Sequence, residues 1–146
     1  MAIIDVTDEP IMAGQTYEDF CRDNHAAGGI SMFVGRVRGG ATDILELEHY
    51  PGMTEKALKE ISERATKRFQ LIDIVIRHRI GAMKSGEDIV LVLAAAPHRH
   101  DAIHAVDYVM DFLKTAAPFW KRLTINGVSS WVDARESDQQ AAERWG

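Results

Sequence analysis

Apolar and polar positions follow two rhythms along this chain, and the switches between them divide it into strands and helices. Residues 2–6 form a first short strand, and 16–24 a short helix that stops before the Gly28-Gly29 pair. A strand over 30–38 ends at Gly39-Gly40. Residues 44–50 then resume extended structure, with Leu45, Leu47 and His49 on one face and Ile44, Glu46, Glu48 and Tyr50 on the other. Two successive strands around a glycine pair suggest a hairpin with a mobile loop. After the Pro51-Gly52 turn, Met53, Ala57, Leu58, Ile61, Ala65 and Phe69 recur at helical spacing with Glu and Lys between them.

In the next strand Ile72, Ile74 and Ile76 alternate with Asp73, Val75 and Arg77. Ser85-Gly86 turns the chain into 87–96, a β-branched run suited to a buried strand. Ala102, Ala105, Val106, Val109, Met110, Leu113 and Ala117 trace a second long helix, which must stop near Pro118 because the residue before a proline disfavours helical geometry. Strands at 119–125 and 129–132 flank Asn126-Gly127, a strong hairpin signal, and the polar tail from Ala134 has the composition of a last helical turn. The succession predicts an α+β domain with a mixed or mostly antiparallel sheet and two main helices.

Composition narrows the function. A chain of 146 residues fits one domain, here taken as 1–146. With 17 Lys+Arg against 22 Asp+Glu, the formal charge of −5 leaves no overall footprint for nucleic acid or an anionic membrane, so any anion site has to be local. Three tryptophans and three tyrosines are too scattered for a base-stacking platform. Neither GxGxxG nor GxxxxGK[ST] occurs, which removes the two commonest nucleotide-binding loops. The lone Cys21 excludes an internal disulfide or a CxxC pair and fits a reducing cytoplasm. MAIIDVTDEP has acids where a signal peptide needs positive charge, and the longest apolar stretch, 89–97, is far short of the ~20 residues of a membrane span. A soluble, non-exported protein is expected.

Within this acidic chain the cations gather at the ends of elements. Arg36 and Arg38 are two apart on a strand and share a face beside Gly39-Gly40, which makes them either an anion clamp or a solvated strand end. Pro97-His98-Arg99 opens a helix, where free N–H groups and the positive dipole end suit a phosphate; an exposed polar first turn is the alternative. Lys114 projects near the end of that helix, where it can simply complement the dipole. Lys121 shares a face with Phe119, Leu123 and Ile125, so its ammonium either snorkels to water or sits in a pocket that lowers its pKa. His100 and His104 are i, i+4, but only Asp101 or Asp107 could join them and His98 around a metal, and no HExxH is present. His78 reads as a satisfied core histidine, and Cys21 has no base at a meaningful spacing. Cations without paired carboxylates or a serine triad point to binding and polarising a phosphate-bearing small molecule.

The strings FVGRVR (33–38), LEHYPGMTEKAL (47–58), HRIG (78–81), PHR (97–99), MDFLKTAAPFWKR (110–122) and WVDARESDQQAAERW (131–145) occur in this order. Together they resemble the large, catalytic subunit of molybdopterin synthase. The resemblance implies an α/β hammerhead fold and a homodimer. A small ubiquitin-like sulfur-carrier subunit docks at each end, which makes a heterotetramer. It implies transfer of sulfur from the carrier's Gly-Gly thiocarboxylate to cyclic pyranopterin monophosphate, twice, to build the molybdopterin dithiolene. No cofactor is implied, since the metal is inserted later by other proteins.

By the same motifs the substrate-contacting residues would be Arg36, Val37, Arg38, His98, Arg99, Lys114, Lys121, Arg122 and Leu123. His98 and Arg99 would come from the neighbouring subunit. Lys114 and Lys121 would be the catalytic pair, stabilising charge or moving protons. Two departures stand out. Leu123 replaces the glutamate that usually follows this Lys-Arg or Lys-Lys pair, and the loop between Arg38 and Leu47 is short. They keep open a second reading, a degenerate paralogue that docks the carrier without turnover.

Overall fold

A computed structural model describes residues 2–132 and 136–146. In chain order its elements are β1 (Ile3–Thr7), α1 (Ala13–Asp23), β2 (Gly29–Arg36), β3 (Ile44–His49), α2 (Met53–Phe69), β4 (Asp73–Arg79), β5 (Gly81–Lys84), β6 (Asp88–Ala96), α3 (Arg99–Leu113), β7 (Phe119–Ile125), β8 (Val128–Val132) and α4 (Glu136–Glu143). They make two four-stranded sheets, ordered β1-β4-β6-β2 and β5-β3-β7-β8. Among the described residues only β1 and β4 run parallel; the other pairings are antiparallel, so the fold is the mixed α+β arrangement expected.

The apolar run at 87–96 becomes β6 because both of its faces are covered. Val90, Val92 and Ala94 pack with Leu58, Ile61 and Ala65 of α2 and Ala105 and Val109 of α3. On the other face Leu91, Leu93 and Ala95 meet Phe20 of α1 and Ile11 just before that helix. β4 divides likewise, with Ile74 and Ile76 toward the two long helices and Val75 toward α1. Ile72, by contrast, is exposed and precedes the strand. Asp73 is buried at its start, where its carboxylate accepts from Asn24 Nδ2 at 2.9 Å and from the Ile74 N–H at 2.9 Å. This polar tie seats α1 on the sheet.

The expected hairpin of 30–38 with 44–50 does not form. β2 pairs with β6 in the first sheet, whereas β3 lies between β5 and β7 in the second. A register shift at Gly35/Arg36 ends β2, and Val37 buries its side chain with Leu47 and Met83. The Val37 N–H donates to the Glu87 carbonyl and its own carbonyl accepts from the Gly86 N–H, each at 2.9 Å. These bonds lead the chain past the β5–β6 turn and into the other sheet. β5 was not foreseen; it is four residues long and holds the edge beside β3.

The remaining hairpin is as expected. Asn126 (φ 51°) and Gly127 (φ 79°) both adopt positive φ, the requirement of the tight turn joining β7 to β8. The tail forms more than one turn of helix, α4, although Ala134 itself lies outside the described residues. Among the described residues no helix is long and apolar enough to cross a membrane.

Gly28 sets the approach of β2 to the connection between β6 and α3. Its N–H donates to the Ala96 carbonyl at 2.9 Å, and a Cβ built on it would lie 1.9 Å from the Pro97 carbonyl oxygen. Backbone rather than a flexible side chain blocks that space, so Gly28→Ala should destabilise the fold by about 2–3 kcal/mol. A lowered denaturant midpoint with an unchanged m-value is the expected result.

Candidate functional site

α3 returns antiparallel along β6, so its C-terminal end lies at the edge of the first sheet where β6 begins and where β2 and β4 end. Topology therefore brings Lys114, His78 and the Arg36–Arg38 segment to one end of the sheet. Lys114 is the C-cap of α3, with its N–H on the Met110 carbonyl, and its side chain is exposed. Five residues on, Phe119 opens β7 and stacks on the His78 ring, centroids 4.0 Å apart and planes 23° from parallel. Strand alternation puts Lys121 on the same face as Phe119.

His78 is the most perturbed group here. Its pKa is pushed down to about 4, first by burial and further by the positive charges of Lys114 and Lys121, against the opposing effect of a hydrogen bond to the Arg79 carbonyl. That bond, Nδ1 to the Arg79 oxygen at 2.9 Å, requires the proton on Nδ1 and leaves the lone pair on Nε2. A neutral imidazole thus adds no charge to a place that already holds two ammonium groups.

The segment carrying both lysines is pinned from α2. Thr54 is fully buried; its hydroxyl accepts from the Tyr50 N–H at 2.9 Å and donates to the Pro118 carbonyl at 2.8 Å. Nearby, His49 faces Glu55 at 3.6 Å and is registered opposite Phe119.

Other residues carried over by motif have varied placements. Arg36 donates to Asp88 Oδ1 at 3.2 Å and to the Gly86 carbonyl, so it braces the β5–β6 turn. Val37 lies in the core with both backbone groups engaged. Arg38, past the strand end, is exposed, with no side-chain partner among the described residues. Arg36 and Arg38 therefore do not share one strand face. Arg122 pairs with Glu46 across the β3–β7 register and lies 5.7 Å from the Trp131 ring centroid. Leu123 is half-buried opposite Leu45. No carboxylate therefore stands where the motif's glutamate would lie.

His98 and Arg99 occupy the far end of α3. His98 is its N-cap in extended geometry (φ −131°, ψ 149°), and Pro97 stands just before the cap rather than in the first turn. Both side chains are exposed. Arg99 and Lys114 are fifteen helical steps apart along the axis, a distance of about 22 Å at the helical rise. β2 spans the same gap: Gly29 sits beside the Arg99 backbone, and Arg36 ends the strand at the Lys114 side. A single chain brings the two lysines together but not the His-Arg pair with them.

His100 and His104 approach with ring centroids 6.1 Å apart, and Asp107 is paired with Arg144 at 2.6 Å. Among the described residues, no three metal-ligating side chains converge. The sequence pattern did not single out His78, Phe119 or Thr54 as site residues. For His78, alternation with isoleucines is equally the signature of a core position; its place at the end of β4, next to the cationic helix end, was the available signal.

The model of the family described as MoaE protein matches residues 6–116. The chain is 42% identical, over an alignment of 146 residues covering 97% of each chain, to a molybdopterin synthase catalytic subunit of Haemophilus influenzae. It is 45% identical, with the same coverage, to one of Vibrio cholerae. Among solved structures it is similar to the molybdopterin biosynthesis MoaE protein from Burkholderia ambifaria, with a TM-score of 0.86 at 42% identity over 99% of this chain and 98% of that one.

Two outcomes follow from the geometry. Thr54→Val leaves the Tyr50 N–H and the Pro118 carbonyl without their partner and should cost about 1–3 kcal/mol, read as a fall in denaturant midpoint. For His78, the unfolded chain binds a proton near pH 6.5 and the folded chain only near 4. Its contribution is whole above the unfolded value and is lost as pH falls through the folded one. Stability should therefore drop by up to about 3 kcal/mol between those values, and His78→Phe should flatten that part of the pH–stability curve.

Proposed function

The chain belongs to the MoaE protein family, and from that premise we propose how its cations are shared between two copies to transfer sulfur. It is the catalytic subunit type of molybdopterin synthase, an enzyme of molybdenum cofactor biosynthesis. In the proposed reaction a small ubiquitin-like carrier, acting in a reducing cytoplasm, inserts its C-terminal thiocarboxylate beside Lys114 and Lys121 of one copy. The thiocarboxylate sulfur bonds to the carbon of cyclic pyranopterin monophosphate that carries a ring phosphate oxygen, that C–O bond breaks so the cyclic phosphate opens to a monoester, and carrier and pterin are joined as a thioester. Water then breaks the acyl C–S bond, returning the carrier carboxylate and leaving sulfur on the pterin. A second carrier adds its sulfur at the neighbouring carbonyl-level carbon, whose oxygen leaves as water, and hydrolysis of that thioester frees the second carrier carboxylate.

The sulfur donor and the pterin substrate in this sequence are both anions. The ammonium groups of Lys114 and Lys121 are suited to stabilise charge at the thioester and to relay the proton needed by the leaving oxygen. Arg38 is available for the phosphate, while Arg36 and Arg122 hold the pocket wall through Asp88 and Glu46. Leu123 contributes apolar surface, and Val37, packed in the core, anchors the segment that carries Arg36 and Arg38. A second copy of this 1–146 domain supplies His98 and Arg99, giving a homodimer with two pockets and a heterotetramer once two carriers dock.

The observation that carries this reading is the length of α3, which places the lysines and the His-Arg pair at opposite ends of one chain. A pocket needing both has to draw them from two chains. Single-turnover conversion with thiocarboxylated carrier tests it. Lys114→Ala should lower the rate at least about 100-fold, and Arg99→Ala should weaken pterin binding. Random mixing of the two variants should restore about a quarter of wild-type activity, because half the dimers then carry one intact pocket of two. No recovery on mixing would place the whole site within one chain. Tight carrier binding without sulfur movement in the wild type would instead favour the docking-only reading, and gain of turnover in Leu123→Glu would locate the defect.

A further inference from the structure

Among the described residues β2 pairs only with β6, so its outer edge is open along eight residues. From Gly29 to Gly35 the strand carries no charge. Open edges are usually guarded by charges, prolines or bulges, and here the irregularity lies at Gly35/Arg36, where the strand ends. Met32 and Phe33, at its middle, are 39% and 40% exposed and point to opposite faces. Ile30 and Val34 share the face of Met32 and pack toward α1, so Phe33 points to the α3 side.

α3 packs against β2 and runs in the same direction, from Arg99 beside Gly29 to Lys114 at the Arg36 end. Arg99, Ile103, Val106, Met110 and Lys114 recur at spacings of three and four and share one face of the helix. On the opposite face Tyr108 meets Phe69 of α2 and Trp145. The stripe therefore looks away from α2, over the open edge, with Ile103 55% exposed. Strand and helix together form an apolar seam with one half of the cationic site at each end.

We propose that a second copy of this chain fills that seam, its β2 antiparallel to the first about a twofold axis near Met32 and Phe33, so that two four-stranded sheets become one. This rests on the reading that Lys114 and Arg99 serve one pocket, and it names the surface that joins them. Antiparallel pairing sets the Gly29 end of the partner, and with it the partner's Arg99, beside Arg36 and Lys114. By symmetry the same happens at the other end, so two half-sites become two whole ones. An uncharged strand meets itself with no like charges opposed, and the cations fall only where an anionic substrate lies between them. The other open edges lack this property. β1 has Asp5 at its centre, tied to Arg77; β5 is four residues long; and β8 lies in the second sheet, whereas Arg99 adjoins the first.

Cross-linking of the full-length chain tests the seam. In a Cys21→Ser background, Met32→Cys and Phe33→Cys lie nearest the axis, where facing residues have Cα atoms about 4.5–5.5 Å apart, within reach of a disulfide. At least one should oxidise to a covalent dimer, while Ile3→Cys on β1 and Val128→Cys on β8 stay monomeric. Phe33→Glu should raise the dimer dissociation constant at least about 30-fold in sedimentation, with single-turnover rate falling in step with the dimer fraction and carrier binding retained. Ile103→Glu, on the exposed helix face, should do the same and serves if Phe33→Glu does not fold. Covalent dimers through β1 or β8 with none through β2, or unchanged dimerisation in folded glutamate variants, would overturn the proposal. Mixing Lys114→Ala with Arg99→Ala separates the two layers. Recovered activity without β2 cross-links defeats only the surface, whereas a β2-linked dimer with no recovery defeats the shared pocket and leaves the seam standing.

Discussion

The structure depends on β6 being apolar on both faces. A strand that meets helices on each side has no solvent-facing register, so it is held at the centre of its sheet. β4 and β2 are then aligned against it, α2 and α3 cover one face and α1 the other. Every group at the cationic end inherits its position from that alignment: His78 from the end of β4, the Arg36–Arg38 segment from the end of β2, and Lys114 from the return of α3 along β6. The lysines stand at a fixed edge and not on a free loop, because the turn after α3 is tied down by the buried Thr54 hydroxyl.

The electrostatic design is local rather than global. A chain with net charge −5 leaves Lys114 and Arg38 exposed while pairing other cations with acids. Arg36, Arg77, Arg79 and Arg122 each have a carboxylate partner, and those pairs fix turns and strands around the exposed groups. The neutral His78 fits the same scheme, since a further positive charge there would be repelled by Lys114 and Lys121.

Much of this was legible in the sequence because period and burial agree. β6, α2, α3 and the Asn126-Gly127 hairpin carry patterns that only one kind of element satisfies. Pairing partners were less legible. The run from Ile30 to Tyr50 looks like a hairpin locally, but Val37 is drawn into a core shared with Leu47 and Met83, a demand of the packed sheets that no local turn signal contains. β5 was invisible because Gly81, Ala82, Met83 and Lys84 have little strand character of their own and gain it only by pairing with β3. Among site residues, the cations at element ends were readable from alternation, and the family resemblance named the same ones. Their grouping was not readable, since it depends on the distance spanned by α3, and His78 gave the same pattern as any core position.

That distance also governs where the chain can change length. An α-helix advances 1.5 Å and rotates about 100° per residue, so one residue added within α3 would carry Lys114 around the axis and away from the His78 edge while His98 and Arg99 stayed in place. An insertion in α3 is thus a change of site geometry, whatever residue is added. The stretch from Gly39 to Asp43 has no such role: it joins the two sheets, holds Gly39 and Gly40 against the Asp43 carboxylate, and contributes no strand pairing. Insertions and deletions are accordingly cheap in that crossover and prohibitive in the helix.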